Sequence, residues 1–285
     1  MRRVQSVWGL RFLLVSGIIL LLLGALAYGD VQKQAPEPTA FSGKVFLFTA
    51  KKWGVPILKA SIEICNGLSE NGKPLYQIQA HIKSLHSPQF LFWLNNRFTS
   101  TMEVETCSPI RYVKEINQGG FLIKNKNYLQ TFTFDHPNQR VVVKKEEERQ
   151  EIPITAETYD PLSMFGRCYL KEELHPKQDI QMSIYDGVKL RQMVFHSIKD
   201  RVRSEIFGEL DAVCLESSTS FSTFGDKEGI IRIWYSADGK KTPIAIELDL
   251  PVGSVKFELE GIEESSRKTG LIYEEGGKHG SKEGS

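Results

Sequence analysis

The sequence predicts a mostly β protein: one large, curved antiparallel sheet, or an open and incomplete barrel, carrying two short helices. Three observations predict it. Apolar and polar residues alternate with a period of two in segment after segment. Tyr76, Ile78, Ala80 and Ile82 alternate with Gln77, Gln79, His81 and Lys83; Ile244, Ile246, Leu248 and Leu250 alternate with Ala245, Glu247 and Asp249. The segments are separated by turn dipeptides, Asn71-Gly72, Gly119-Gly120, Asp186-Gly187, Asp238-Gly239 and Val252-Gly253, which tolerate the positive φ of tight hairpins and so pair sequential strands antiparallel. About a dozen such strands exceed what a flat sheet carries, so the sheet must curl.

The chain has 285 residues, 36 Lys+Arg against 35 Asp+Glu, and is 41% hydrophobic and 25% charged. Those fractions exclude wholesale disorder, collagen and a multi-span membrane protein. A net charge of +1, with no Lys/Arg stripe, gives no field to attract nucleic acid.

From the N-terminus, Arg2, Arg3 and Arg11 precede an apolar run over 12–28, whose end contains the small-x-small site Ala25-Leu26-Ala27. This reads as a signal peptide, 1–27, with the mature chain beginning at Tyr28; the alternative is an uncleaved N-terminal membrane anchor. Both readings export the chain, with the arginines retained on the cytoplasmic side. The expected address is the periplasm of a Gram-negative bacterium, or the periplasmic face of its inner membrane. Cleavage removes three arginines and no acid, which takes the net charge from +1 to −2. Residues 28–42 hold Pro36 and Pro38 among polar residues and read as a linker. The β-rich domain spans 43–262, and 263–285, rich in Gly, Ser, Lys and Glu, reads as a disordered tail.

Within the domain, Pro88 suits the first turn of a helix over 89–94. Residues 131–143 read as a hairpin around Asp135-His136-Pro137-Asn138, and the charge run 144–151 as a solvated loop. Asp160 and Pro161 open the second helix, running to about residue 173. Residues 230–235, with bulky side chains on both faces, form a strand that buries Trp234.

The order of these features resembles the domain-of-unknown-function 3108 family of exported bacterial proteins. The likeness rests on Trp53-Gly54-Val55-Pro56 and on Tyr159-Asp160-Pro161-Leu162-Ser163 with Phe165 and Arg167. It continues in Tyr185-Asp186-Gly187, in Ile233-Trp234-Tyr235-Ser236-Ala237-Asp238-Gly239-Lys240-Lys241-Thr242-Pro243, and in Gly253-Ser254-Val255. The last two blocks are the specific ones. The resemblance implies an open β-barrel of the cell envelope and carries no catalytic residues to transfer. The four cysteines and the long charged segment depart from the family pattern.

The chemistry-bearing residues are sparse. None of the six histidines pairs at metal-ligand spacing, no serine sits in a nucleophile elbow, and no phosphate loop is present, so no catalytic residue, metal or cofactor is expected. Cys65, Cys107, Cys168 and Cys214 contain no Cys-x-x-Cys. Cys65 alternates with Glu63, and Cys107 with Glu103 and Glu105, which makes Cys65–Cys107 the first disulfide to consider; buried thiols are the alternative. Arg167 lies in an otherwise apolar helix, where it reaches water, pairs with a buried acid such as Asp160, or holds an anionic head group. With Tyr169, Trp53 and Trp234 it makes up the candidate binding set. The expected function is a non-enzymatic envelope protein whose curved sheet binds a lipid, another apolar or amphipathic ligand, or a protein partner. The alternatives are an envelope hydrolase with a non-standard site and a scaffold acting through a sheet edge.

Overall fold

The computed structural model describes residues 41–85, 92–121, 125–221, 227–250 and 253–267. The predicted signal peptide or anchor, most of the linker, and residues 268–285 of the predicted tail lie outside these. Among the described residues, no helix is long and apolar enough to cross a membrane.

In chain order the strands are β1 (Phe41–Lys52), β2 (Val55–Glu70), β3 (Lys73–Ser84), β4 (Trp93–Glu103), β5 (Pro109–Gly119), β6 (Lys126–Asp135), β7 (Arg140–Lys145), β8 (Glu148–Pro153) and β9 (Thr158–Tyr159). Helix α1 (Pro161–Leu170) follows, then β10 (Asp179–Tyr185), β11 (Leu190–Ser204), β12 (Gly208–Phe221), β13 (Lys227–Ser236), β14 (Pro243–Leu250) and β15 (Gly253–Arg267). All fifteen strands belong to one sheet, ordered β8-β7-β6-β5-β4-β3-β2-β1-β15-β14-β13-β12-β11-β10-β9. Every ladder is antiparallel except β9–β10. β1 begins at Phe41, and β15 reaches Arg267, paired with Phe41, so residues 263–267 of the predicted tail are strand.

The topology forces the curl. β8 and β9 are the two edges of the sheet, yet only residues 154–157 join them. The five Cα steps from Pro153 to Thr158 reach about 18 Å at full extension. The ends of a fifteen-stranded sheet therefore come back to face each other, and the sheet remains open because no ladder joins them.

Register decides which face turns inward. Phe46, Ile62, Ala80, Phe98 and Lys114 lie opposite one another in successive strands, as do Phe48 and Leu259 on the other side of β1. This inner face receives α1. A Cβ on Gly166 would meet Ile78 Cδ1 and Met102 Cε at 2.6 Å, so glycine lets the helix sit directly on β3 and β4. Phe165 lies 6.1 Å from the Tyr235 ring and Tyr169 5.5 Å from Phe46, and the helix thus fills the inside of the curl.

The cap of α1 forms as its sequence predicts. Asp160 Oδ1 accepts from the Leu162 and Ser163 amides, and Ser163 Oγ accepts from the Asp160 amide. Ser100 Oγ donates to Asp160 Oδ2 at 2.7 Å and ties the cap to β4. Burial pushes the Asp160 carboxyl above its ordinary value.

Three expectations are corrected. α1 is the single helix among the described residues: Trp93 and Leu94 open β4, and residues 86–91 lie outside the described ones. Period two wins there, because Leu94, Asn96, Phe98, Ser100 and Met102 are buried in alternation. The charge run is no loop but a hairpin, β7–β8, turning at Glu146 with φ 53°. Cys65 and Cys107 are not bonded to each other, and all four cysteines are buried thiols. Cys107 lies in the turn beyond β4, outside the alternation, and joins the inner core; Cys65 shares the opposite face of β2 with Glu63. Burial pushes the Cys107 thiol up to about 11 and Cys168 and Cys214 up to about 12.

Candidate functional site at the seam of the sheet

The four residues expected to bind are not brought together. Arg167 Nε donates to Glu172 Oε1 at 2.6 Å and Nη1 to Tyr159 Oη at 2.5 Å, over whose ring the guanidinium lies; it does not pair with Asp160. Tyr169 is half-buried beside α1's other aromatic, Phe165. Trp53 stands exposed on the β1–β2 turn. Trp234 is buried, but on the face of β13 opposite Tyr235, across from Cys214 and Ala245. Its Nε1 donates to Asp200 Oδ2 at 2.7 Å, and Lys256 Nζ lies 5.2 Å over its ring.

The unusual chemistry lies on β5. Tyr112, Lys114, Ile116 and Gln118 alternate inward, so placing Tyr112 and Ile116 in the core carries Lys114 in with them. Lys114 is completely buried. Its Nζ donates to the main-chain oxygen of Asp186 at 2.5 Å and lies 5.1 Å from the Phe132 ring and 5.6 Å from Tyr112. An ammonium has three hydrogens, so two are left after Asp186. Desolvation brings Lys114 down to about 8, partly offset by Asp186 and Asp160.

Asp186 itself is fixed by the β10–β11 turn. Its Oδ1 accepts from the Val188 and Lys189 amides, and Oδ2 from Arg191 Nε at 3.1 Å. Gly187 follows with φ 92°, and a Cβ there would lie 2.5 Å from Lys114 Nζ. The turn thereby packs onto the inner face of β5 and β6, where Phe132 also meets Tyr185 at 6.0 Å.

Around Lys114 the inner face holds buried polar atoms with no protein partner: Tyr112 Oη, Gln118 Nε2, Tyr128 Oη and Gln130 Oε1. Gln130 stands directly across the ladder from Lys114, and Tyr128 across from Ile116. Orphaned buried groups cost about 1–3 kcal/mol each, so four on two adjacent strands ask for a polar occupant. A cavity of about 200 Å³ opens at Gln130, lined also by Gly187, Val143, Val188, Lys145, Glu148 and Gln150. A larger hollow of about 420 Å³ lies between Phe207, Leu210 and the β13–β14 turn. Its polar groups satisfy one another: Ser236 Oγ donates to Asp238 Oδ1 and accepts from the Thr242 amide. The seam is the stronger site.

Among the described residues no three His, Cys, Asp or Glu side chains group to hold a metal. His81 bonds to Asn95, His136 to the Ala156 and Pro109 carbonyls, His175 to Glu173 and His196 to Asp179. His86 and His279 lie outside the described residues.

Fold and seam together define a mostly β protein, one large open sheet rolled around an inner helix. The chain belongs to a family of proteins of unknown function, DUF3108, whose sequence profile matches residues 46–260. It is similar to the crystal structure of a β-barrel-like protein of the domain of unknown function DUF1849 from Brucella abortus. The likeness has 10% identity and a TM-score of 0.49, covering 79% of this chain and 98% of that one. No curated protein matches the chain.

Proposed function

We propose that this chain is an exported cell-envelope protein that binds a small amphipathic ligand in the seam of its curled sheet, and that it is not an enzyme. The observation that carries the reading is the pair Lys114 and Gln130: a buried ammonium with two uncommitted hydrogens stands across the ladder from Gln130, whose Oε1 is orphaned and which lines a cavity with Val143 and Val188. Ligand pockets combine an apolar lining with a few placed polar groups. α1 occupies the inside of the curl, which favours a small ligand over a long acyl chain. Export rests on the arginines and apolar run of residues 2–28. The sheet edges argue against a scaffold: β8 carries both charge signs and ends in Pro153, and β9 has two residues.

The test is linkage. A molecule bound to the folded chain alone raises its melting temperature. Protein recovered from the envelope, unfolded in urea, dialysed and refolded is expected to melt lower than before, and an extract of the native protein to restore the difference. Identical melting before and after would contradict the reading.

A further inference from the structure

Two hairpin tips far apart in sequence are held side by side. The β1–β2 turn presents Lys51-Lys52-Trp53-Gly54-Val55, and the β11–β12 turn presents Glu205-Ile206-Phe207-Gly208. Lys51 Nζ forms an ion pair with Glu205 Oε1 across 154 residues, and this contact sets the tips next to each other. What they expose is apolar and bulky: Trp53 is 79% exposed, Val55 61%, Phe207 49% and Ile206 41%. The turn glycines, Gly54 at φ 78° and Gly208 at φ 72°, have nothing within 4 Å of a Cβ position. The tips thus project into open space.

We infer that these paired tips dock the protein on the surface of a phospholipid bilayer, Trp53, Val55, Ile206 and Phe207 entering the headgroup–acyl boundary. A soluble monomer rarely clusters exposed side chains of this size without use. Their area decides against a protein partner. Scaled by their exposed fractions, four side chains of at most about 250 Å² offer less than about 600 Å², short of the roughly 800 Å² that each side of a stable protein interface buries. A bilayer makes no such demand, because each inserted side chain gains separately. Tryptophan favours the boundary, where its ring is buried and its N–H stays wet. The cations suit the same place: Lys52 lies over the Trp53 ring at 5.4 Å, and exposed Arg203 precedes the second tip, both able to reach headgroup phosphates. Lys51 is neutralised by Glu205, so apolar insertion supplies most of the attraction.

The test uses vesicles of phosphatidylethanolamine and phosphatidylglycerol with brominated acyl chains, which quench only tryptophans that reach the boundary. The full chain, as recovered from the envelope, is compared with its Trp53→Phe variant. The difference isolates Trp53 from the three other tryptophans, and it holds whether or not residues 12–28 also anchor the chain. The expected result is quenching of wild-type emission that Trp53→Phe loses, and that an Ile206→Ser/Phe207→Ser variant reduces at least twofold with melting unchanged. Equal quenching in wild type and Trp53→Phe, or undiminished quenching in the double variant, would overturn the inference. Neither outcome touches the seam, which contains none of these residues.

Discussion

Lys114 Nζ donates to the main-chain oxygen of Asp186 at 2.5 Å, a contact between residues 72 apart that joins β5 to the β10–β11 turn. It spans the seam where no backbone ladder runs. One buried cation thus ties two distant parts of the curl together, across the ladder from Gln130 of the cavity lining. A charge held there costs folding free energy, and the cost gives the site a pH signature.

Lys114 titrates near 8 when folded and near 10.4 when unfolded. Between those values the unfolded chain binds more protons, so this group makes stability rise with pH across that window. Below 8 the depressed value represents a penalty of about 3 kcal/mol. Buried thiols and tyrosines shift the opposite way and lower stability from about pH 9 upward, so a difference measurement is needed. In urea unfolding of wild type and Lys114→Met, the free-energy difference is expected to move in favour of wild type from pH 7.5 to pH 9.5. A constant difference would show that Lys114 is solvated.

Gly187→Ala is expected to loosen the seam. The new Cβ would lie 2.5 Å from Lys114 Nζ and 2.9 Å from Phe132 Cζ, at a φ of 92° that favours glycine. Strain and crowding together cost about 2–4 kcal/mol. Thermal melting checks this, with Gly239→Ala as the comparison: its φ is 78°, but nothing stands within 4 Å, so only the backbone term applies.

Arg167 is held by Glu172 and Tyr159. Arg167→Met leaves partly buried Glu172 without its guanidinium and removes the donor to Tyr159, for a loss of about 1–3 kcal/mol. Glu172→Gln is expected to lose part of that, and the double variant less than the sum of the two. Additive losses in a urea double-mutant cycle would show the pair to be uncoupled.

Trp234→Ala is expected to cost about 3–5 kcal/mol, because the ring is only 6% exposed and leaves a hole between Cys214 and Ala245. Trp234→Phe keeps most of the bulk and loses the donor to Asp200, whose carboxylate is exposed and can turn to water, so about 1 kcal/mol is expected. Chemical denaturation separates the two.

Local signals carried much of the fold. Asp160 caps α1, Asp186-Gly187 turns β10 into β11, and residues 131–143 form the β6–β7 hairpin, because each depends on neighbours in sequence. The family resemblance quoted from residues 53–255 agrees with the profile match. What depends on distant pairing was not legible. Alternation divides a strand into two faces without saying which is inner, so Trp234 and Tyr235 look equivalent although Tyr235 meets α1 and Trp234 faces away. Lys114 does carry a local signal: a lysine in phase with Tyr112 and Ile116 must follow them inward. That Asp186 would be its acceptor required knowing that the sheet returns on itself, and only the short β8–β9 connection in a fifteen-stranded sheet shows that.

The measurement closest to the central claim is native mass spectrometry of the full chain recovered from the envelope, as wild type, Lys114→Met and Gln130→Leu. Methionine fills the lysine's volume with no hydrogens to donate, and leucine removes the orphaned amide at similar size. The wild type is expected to carry a small molecule, of a size that fits about 200 Å³, that Lys114→Met loses and Gln130→Leu holds less well. A wild type that flies at the mass of its polypeptide alone, or equal adducts on all three proteins, would contradict a ligand site at the seam.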